Sequence, residues 1–371
     1  MKSELFLYGY CLVCLSILLF NIVYSGVMKQ KDKRTERRVL YFSGLITAQL
    51  ENIRSGGEIQ AEHLRLLKRR LAHVNQLIAF ERAFSAYMED AADPAVAAYH
   101  QQIQPAILHL SRIYQDRENM QAAYFAYFIS QYRPKREQAM EEIQNAMVGY
   151  MRKDSLYCRV NALQALYVFA SEEAIVQAIT LLDRENGLPY EKILTDGLLQ
   201  FQGDHAKLVQ LLWEKMRRFS NKTQLSILNY IRFKSGDYCE QMLAIIQDEQ
   251  EDKELRLSAI RYFGRYFYAP AKEALLAFAS DRNPLNWEYA AIAVSSLGRY
   301  DGVDVLEALI GAAHSSNWYI RQNAAISLQA HQLEYSELID VLGGRDRYAR
   351  EMMLYQMELG HMKSEKQEAT V

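Results

Sequence analysis

The first pattern in the chain is an uninterrupted apolar one. From Leu5 to Met28 there is no charged side chain, and the run Cys11-Leu-Val-Cys-Leu-Ser-Ile-Leu-Leu-Phe-Asn-Ile-Val23 is almost wholly hydrophobic. A helix of that length rises about 36 Å, more than the ~30 Å of hydrocarbon in a bilayer. The pattern therefore predicts a transmembrane helix over residues 5–28, with Tyr8, Tyr10 and Tyr24 near its ends, where amphipathic rings favour the interface. A basic juxtamembrane linker over 29–38 follows, with Lys29, Lys31, Lys33, Arg34, Arg37 and Arg38 against only Asp32 and Glu36. On the other flank Lys2 is opposed by Glu4. This asymmetry predicts a single-pass protein of the cell membrane, with its N-terminus outside and its C-terminal bulk cytoplasmic. A cleaved signal peptide ending at Val23-Tyr24-Ser25 is the competing reading. The weakly positive start and the basic cluster on the side to be translocated oppose it. The basic run reads as a topology signal, with contact to anionic headgroups as the alternative.

Beyond residue 38 the apolar residues recur at helical spacing with no strand-like alternation, which predicts an all-α fold. Residues 39–150 form a helical N-terminal region, either divergent repeats or a bundle. Ser55-Gly56-Gly57 separates a helix over Val39–Asn52 from a long one over Ile59–Tyr87. Asp93-Pro94 opens another as a capping residue followed by a first-turn proline. Pro105 and Pro134 delimit helices over Ala106–Tyr114, Met120–Tyr132 and Arg136–Tyr150. Leu64, Leu67, Leu71, Val74 and Ile78 follow a 3-4 alternation that suits either a short coiled-coil seam between two chains or a stripe packed on neighbouring helices. Two heptads favour the packed stripe. Tyr124-Phe125-Ala-Tyr127-Phe128 reads as core for the same reason.

From 151 to 360 the pattern repeats. After Arg159, Arg256, Arg321 and Arg350, small or apolar residues stand three, four and seven places on, as in Ala259, Ile260 and Phe263, or Ala324, Ala325 and Leu328. Leu194, Gln224 and Ala290 occupy the same slot without the arginine. The seven slots are 29 to 35 residues apart, the length of two helices and two turns. One pair of helices cannot bury both faces, so each unit must stack on its neighbours. Asp154, Asp252 and Asp346, a few residues before Arg159, Arg256 and Arg350, predict helix capping with an acid–arginine pair. All four arginines, Arg321 included, therefore read as structural. A polar tail over 361–371 closes the chain.

Composition narrows the functions. Among 371 residues, 43 basic and 45 acidic side chains leave a net charge of −2, which provides no general field for nucleic acid. No phosphate-cradling glycine loop, nucleophile elbow, His-Glu-x-x-His or acidic calcium loop occurs. The eight histidines are scattered, Cys158 and Cys239 are isolated, and Cys11-Leu-Val-Cys14 lies in the apolar helix, where a redox role does not fit. No catalytic residue, metal site, cofactor or small-molecule substrate is expected. The candidate protein-binding residues are Trp287 and Trp318, which sit in the same repeat slot behind Asn286 and Asn317, together with Tyr289 and Tyr319. Asparagine would cap each helix and set the two indoles side by side as an aromatic ledge, trp and tyr being common interface anchors. Filling of the gap between repeats is the alternative.

The repeat carried by Arg256, Ala259, Phe263 and Gly264, and by Arg321, Ala324, Ala325 and Leu328, resembles the HEAT repeat and its phycobilisome-lyase-like relatives. The resemblance spans roughly 151–360 and implies an α-solenoid that binds proteins and has no catalytic residues of its own. The expected function is a membrane-anchored cytoplasmic scaffold for a membrane-associated protein partner. In layout it is similar to bacterial membrane proteins that accompany envelope-polysaccharide glycosyltransferases. The alternative the resemblance implies is a lyase or chaperone acting on a chromophore-bearing or other client protein.

Overall fold

In a computed structural model of the chain, every regular element among the described residues is a helix. The structure describes residues 2–88, 93–132, 140–185, 191–333 and 335–368, with side chains for all of these except 2–8, 11, 140, 361 and 363–368. Pro134 and the expected helix start at Arg136 lie outside the described residues, as do residues 369–371 of the tail. The chain divides into two compact units, Met1–Glu185 and Asn186–Val371.

The first unit opens with a single helix, α1 (Lys2–Arg54), of 53 residues. The basic stretch 29–38, expected as a linker, is an unbroken part of it. No glycine or proline stands between Met28 and Val39, and lysine and arginine are good helix formers. The helix ends where the sequence places its break: Gly56 takes φ +87°, and the Gly57 N–H donates to Asn52 O at 2.9 Å, a glycine-dependent C-terminal turn. Only the far end of α1 is packed. Phe42, Ile46 and Leu50 are buried, whereas Leu12, Val13, Leu15, Ile17, Leu18, Leu19, Phe20, Ile22 and Val23 are each more than half exposed.

The long helix expected over 59–87 is two, α2 (Ala61–Arg70) and α3 (Val74–Met88). No glycine or proline marks the break. The Tyr114 hydroxyl donates to Leu71 O at 2.8 Å in the core, so a tertiary bond ties the break to α5. The 3-4 stripe is thereby divided, with Leu67 and Leu71 fully buried within the unit. Then follow α4 (Pro94–Gln102), capped by Asp93, α5 (Gln104–Gln115), α6 (Asn119–Tyr132), α7 (Met140–Gly149), α8 (Leu156–Phe169) and α9 (Glu172–Arg184). Phe125 and Phe128 of α6 are core as expected, while Tyr127 is 39 % exposed.

The second unit is a two-layer stack. Its helices are α10 (Glu191–Leu199), α11 (His205–Glu214), α12 (Asn221–Lys234), α13 (Cys239–Gln247), α14 (Lys253–Phe263), α15 (Lys272–Ala279), α16 (Trp287–Leu297), α17 (Val303–Ala313), α18 (Trp318–Ala330), α19 (Ile339–Leu342) and α20 (Arg347–Glu368). From α10 to α20 each even-numbered helix packs on the next even-numbered one, and α11, α13, α15, α17 and α19 each pack on the helix that follows. The slots at 194, 224, 256, 290, 321 and 350 all fall on the even-numbered layer, one per helix.

Small residues set the spacing of that layer. Ala259, Ala293 and Ala324, three places after their slots, are fully buried. Ser296 donates to Ile260 O at 3.0 Å and Ser327 to Val294 O at 2.9 Å, so a hydroxyl of one helix bonds the backbone of the helix before it. Opposite these serines stand Gly264 and Gly298, where an added Cβ would lie 3.1 Å from Ser296 Oγ and 3.0 Å from Ser327 Oγ. Asn323 makes a parallel bond to Ala291 O at 2.7 Å. These bonds, one repeat apart, fix the register between neighbouring repeats.

Candidate functional site

The repeat arginines serve the helix ends. Arg256 donates through Nε and Nη2 to Ile246 O at 3.3 and 3.0 Å. Arg321 donates through Nη1 to Ser315 O at 2.7 Å, and Arg350 through Nη1 to Gly344 O at 3.4 Å. Arg256 thus meets a carbonyl in the last turn of the preceding helix, which has no partner within that helix, and Arg321 and Arg350 meet carbonyls of the turn that follows theirs. Two of the acids cap as expected but bond partners other than the repeat arginines. Asp252 accepts from the Glu254 and Leu255 N–H groups and Asp346 from those of Tyr348 and Ala349, which is N-capping, while their second oxygens bond Asn221 Nδ2 and His314 Nδ1 at 3.0 and 3.1 Å. At Arg159 the cap is Ser155 and Asp154 is exposed. The Arg159 Nε is buried with no hydrogen-bond partner.

The four aromatic candidates separate into two environments. Tyr289 is 8 % exposed, stacked on Phe278 at 5.4 Å, with the Arg256 guanidinium 5.1 Å from its ring centre. It is part of the packing between α14, α15 and α16. Trp318 and Tyr319 are 48 % and 56 % exposed and meet edge-to-face at 5.1 Å. Trp287, half-buried, stacks on Tyr319 at 5.4 Å and 25°, so the ring that bridges the two repeats is a tyrosine. The ledge therefore consists of Trp287, Tyr319 and Trp318 on the starts of α16 and α18. Asn317 caps α18, accepting from the Tyr319 and Ile320 N–H groups. Asn286 instead donates to Asp281 at 2.7 Å, and Asn283 caps the short turn of 3-10 helix before α16.

Elsewhere the chemistry is quiet. Burial pushes the Cys158 thiol up to about 11, away from the range of a reactive thiolate. Among the described residues no group of three or more His, Cys, Asp or Glu is placed to hold a metal ion. One feature was not found in the sequence: Arg232, Arg261, Arg265 and Arg299 share a groove on the even-numbered layer. The signal that reveals it is the period itself, since 232, 265 and 299 stand one repeat apart.

Fold and surface together define a helical-repeat protein. A family model described as HEAT repeats matches residues 239–329, from α13 into the last turn of α18, so over that span the helical repeat is similar to HEAT repeats. Its N-terminal helix is long and apolar enough to cross a membrane. Comparison with curated proteins gives no match.

Proposed function

We propose that the chain is a membrane-tethered scaffold, held in the bilayer by residues 5–28 of α1, with its helical repeats on the cytoplasmic side engaging a membrane-associated protein partner. The observation that carries the reading is the contrast along α1: the large apolar side chains from Leu12 to Val23 are each more than half exposed, while Phe42, Ile46 and Leu50 of the same helix are buried. An apolar helical surface of that size needs a non-aqueous environment. The basic stretch at 29–38 supports the orientation. On the repeats, Trp318 and Tyr319 offer exposed aromatic area already ordered by Trp287 and by the Asn317 cap, so little side-chain entropy is lost on binding. Confinement to the membrane raises the effective concentration of a partner in the same membrane.

The test has two parts. Sodium carbonate extraction of cells expressing the full chain should leave it in the membrane pellet, and a cysteine-free chain with a single cysteine at Ser3 should label from the outside only. Recovery in the soluble fraction would remove the anchor. Crosslinking in the same membranes should then capture a partner with the native chain and lose it with Trp318→Ala plus Tyr319→Ala. Equal capture would move the partner surface elsewhere.

A further inference from the structure

Ion pairs link successive repeats along the second unit: Arg217 with Glu251, Lys253 with Glu288, and Lys272 with Asp304 at 2.8 Å. Four arginines stand apart from this pairing. Arg232 on α12, Arg261 and Arg265 at the end of α14, and Arg299 just after α16 line one open groove of about 550 Å³, with Phe233, Ile292, Ser295 and Asn323 among its other walls. No carboxylate lines it. Among the described residues none lies within ion-pair distance of the four. The nearest acidic influence is Glu254, two turns back along α14, which favours the charged form of Arg261.

The charges are held together against their mutual repulsion. Burial, then Arg261 and Arg265, make the Arg232 cation less favourable, and burial does the same to Arg261. The side chains are also ordered. The Arg232 and Arg265 guanidinium groups both lie over the Phe233 ring, at 5.0 and 5.2 Å from its centre, and Arg299 donates to Arg265 O. A helix C-terminus favours a cation for its own sake, which accounts for one arginine on each helix. It does not account for three helices directing theirs into one groove that holds no counter-charge.

We infer that this groove is a binding site for an extended, carboxylate-bearing segment of a partner protein. Planar guanidinium groups match carboxylates two bonds at a time. The groove crosses three repeats, longer than one anionic group needs, and Phe233 and Ile292 provide apolar contact between the charges. That mixture suits acidic side chains alternating with apolar ones on a peptide. A nucleic-acid backbone would require a longer basic track than a chain of net charge −2 provides. The inference shares with the scaffold reading only that the ligand is a protein. It depends neither on the anchor nor on the aromatic ledge.

The test is fluorescence anisotropy of the purified full chain in an uncharged detergent, with a labelled peptide of alternating Glu and Ala. Saturable binding that weakens with salt, and that is absent for the Gln-Ala peptide, is the expected result. Arg265→Glu, at an exposed position, should weaken it by ~10-fold or more, since charge-assisted hydrogen bonds are lost and a repulsion is added. Arg282→Glu, an exposed arginine outside the groove, should leave it unchanged. Unaltered circular dichroism would show that Arg265→Glu folds, and Arg232→Gln provides an independent loss of affinity. No binding, binding indifferent to both groove variants, or tighter competition by a phosphoserine peptide, an RNA oligonucleotide or inositol trisphosphate would overturn the assignment. Peptide capture by a chain that fails membrane extraction would leave this inference standing and remove only the anchor.

Discussion

Around Phe80 in the first unit, the rings of Phe42, Phe84 and Phe128 lie within 5.6 to 6.2 Å of its own, and tyrosine hydroxyls reach across helices to bond backbone carbonyls. Around Ser296 in the second unit, the contact is instead a buried hydroxyl, a glycine and alanines. Both units pack helices on helices, but one fills irregular space with large rings and the other brings backbones close with small residues. The first arrangement makes each contact particular to its place. The second can be repeated at a fixed interval, because a small residue and a hydroxyl fit the same way against every neighbour.

The difference is broken most severely from the aromatic side. Phe80→Ala removes a fully buried ring in contact with three others, and the cavity should cost about 3–5 kcal/mol. Urea unfolding followed by hydrogen exchange should show the loss in α1, α3 and α6 and spare α14 to α18. A uniform loss through both units would mean that they unfold as one.

Acid should separate the units next. His63 is 5 % exposed and bonds Tyr99 Oη at 2.9 Å, and burial pushes its pKa down from 6.5 to about 4. Below 6.5 the unfolded chain takes up a proton that the folded one refuses. The contribution of neutral His63 is therefore complete above that value and is lost as the pH falls to about 4, by an amount on the order of 3 kcal/mol. His205, in the second unit, is lowered in the same sense by burial and by Lys234. Asp281, which accepts from the Asn283 N–H and Asn286, and the cap Asp346 are shifted below their ordinary value by these hydrogen bonds and, at Asp346, by His314, so the fold favours their charged forms. Exchange in the first unit should thus accelerate more between pH 6.5 and 4, and His63→Gln should flatten the dependence. An unchanged slope in the variant would assign the effect to another group.

A smaller change tests the repeat side. Ala293→Leu places a longer side chain between α16 and its neighbours, where Ala293 is fully buried, and overpacking there should cost about 1–3 kcal/mol. Ser296→Ala should cost about 1 kcal/mol, since it leaves Ile260 O without that donor. If small residues set the register, the effects should be confined to α14, α16 and α18.

The same contrast explains what the sequence made legible. The slots at 256, 290 and 321 fall on α14, α16 and α18 because alanine, serine and glycine recur there at one interval. The break between α2 and α3 is hidden because the bond made there is tertiary, from Tyr114, 43 residues away, to Leu71 O. A local pattern cannot carry that. At the ledge the tryptophans were visible, but Tyr289 and Tyr319 could not be told apart. One residue places them in different positions of the first turn, so Tyr289 enters the stack with Phe278 while Tyr319 faces solvent beside Trp287. The arginine groove carries the repeat period, but as residues outside the apolar template it left no trace in the hydrophobic pattern.

The least effect on stability is expected where the effect on binding should be greatest. Trp318 is 48 % exposed and touches Tyr319 edge-on, so Trp318→Ala should change the unfolding free energy by no more than about 0.5 kcal/mol, the range of ordinary surface substitutions. Tyr289→Ala removes a buried ring stacked on Phe278 and faced by Arg256, and should cost about 3 kcal/mol or more. Measured together by urea titration, the pair separates packing from presentation within one aromatic cluster. A Trp318→Ala loss as large as that of Tyr289→Ala would make the indole part of the repeat junction. Preserved stability with lost crosslinking to the partner would leave the ring only one use, contact with another protein.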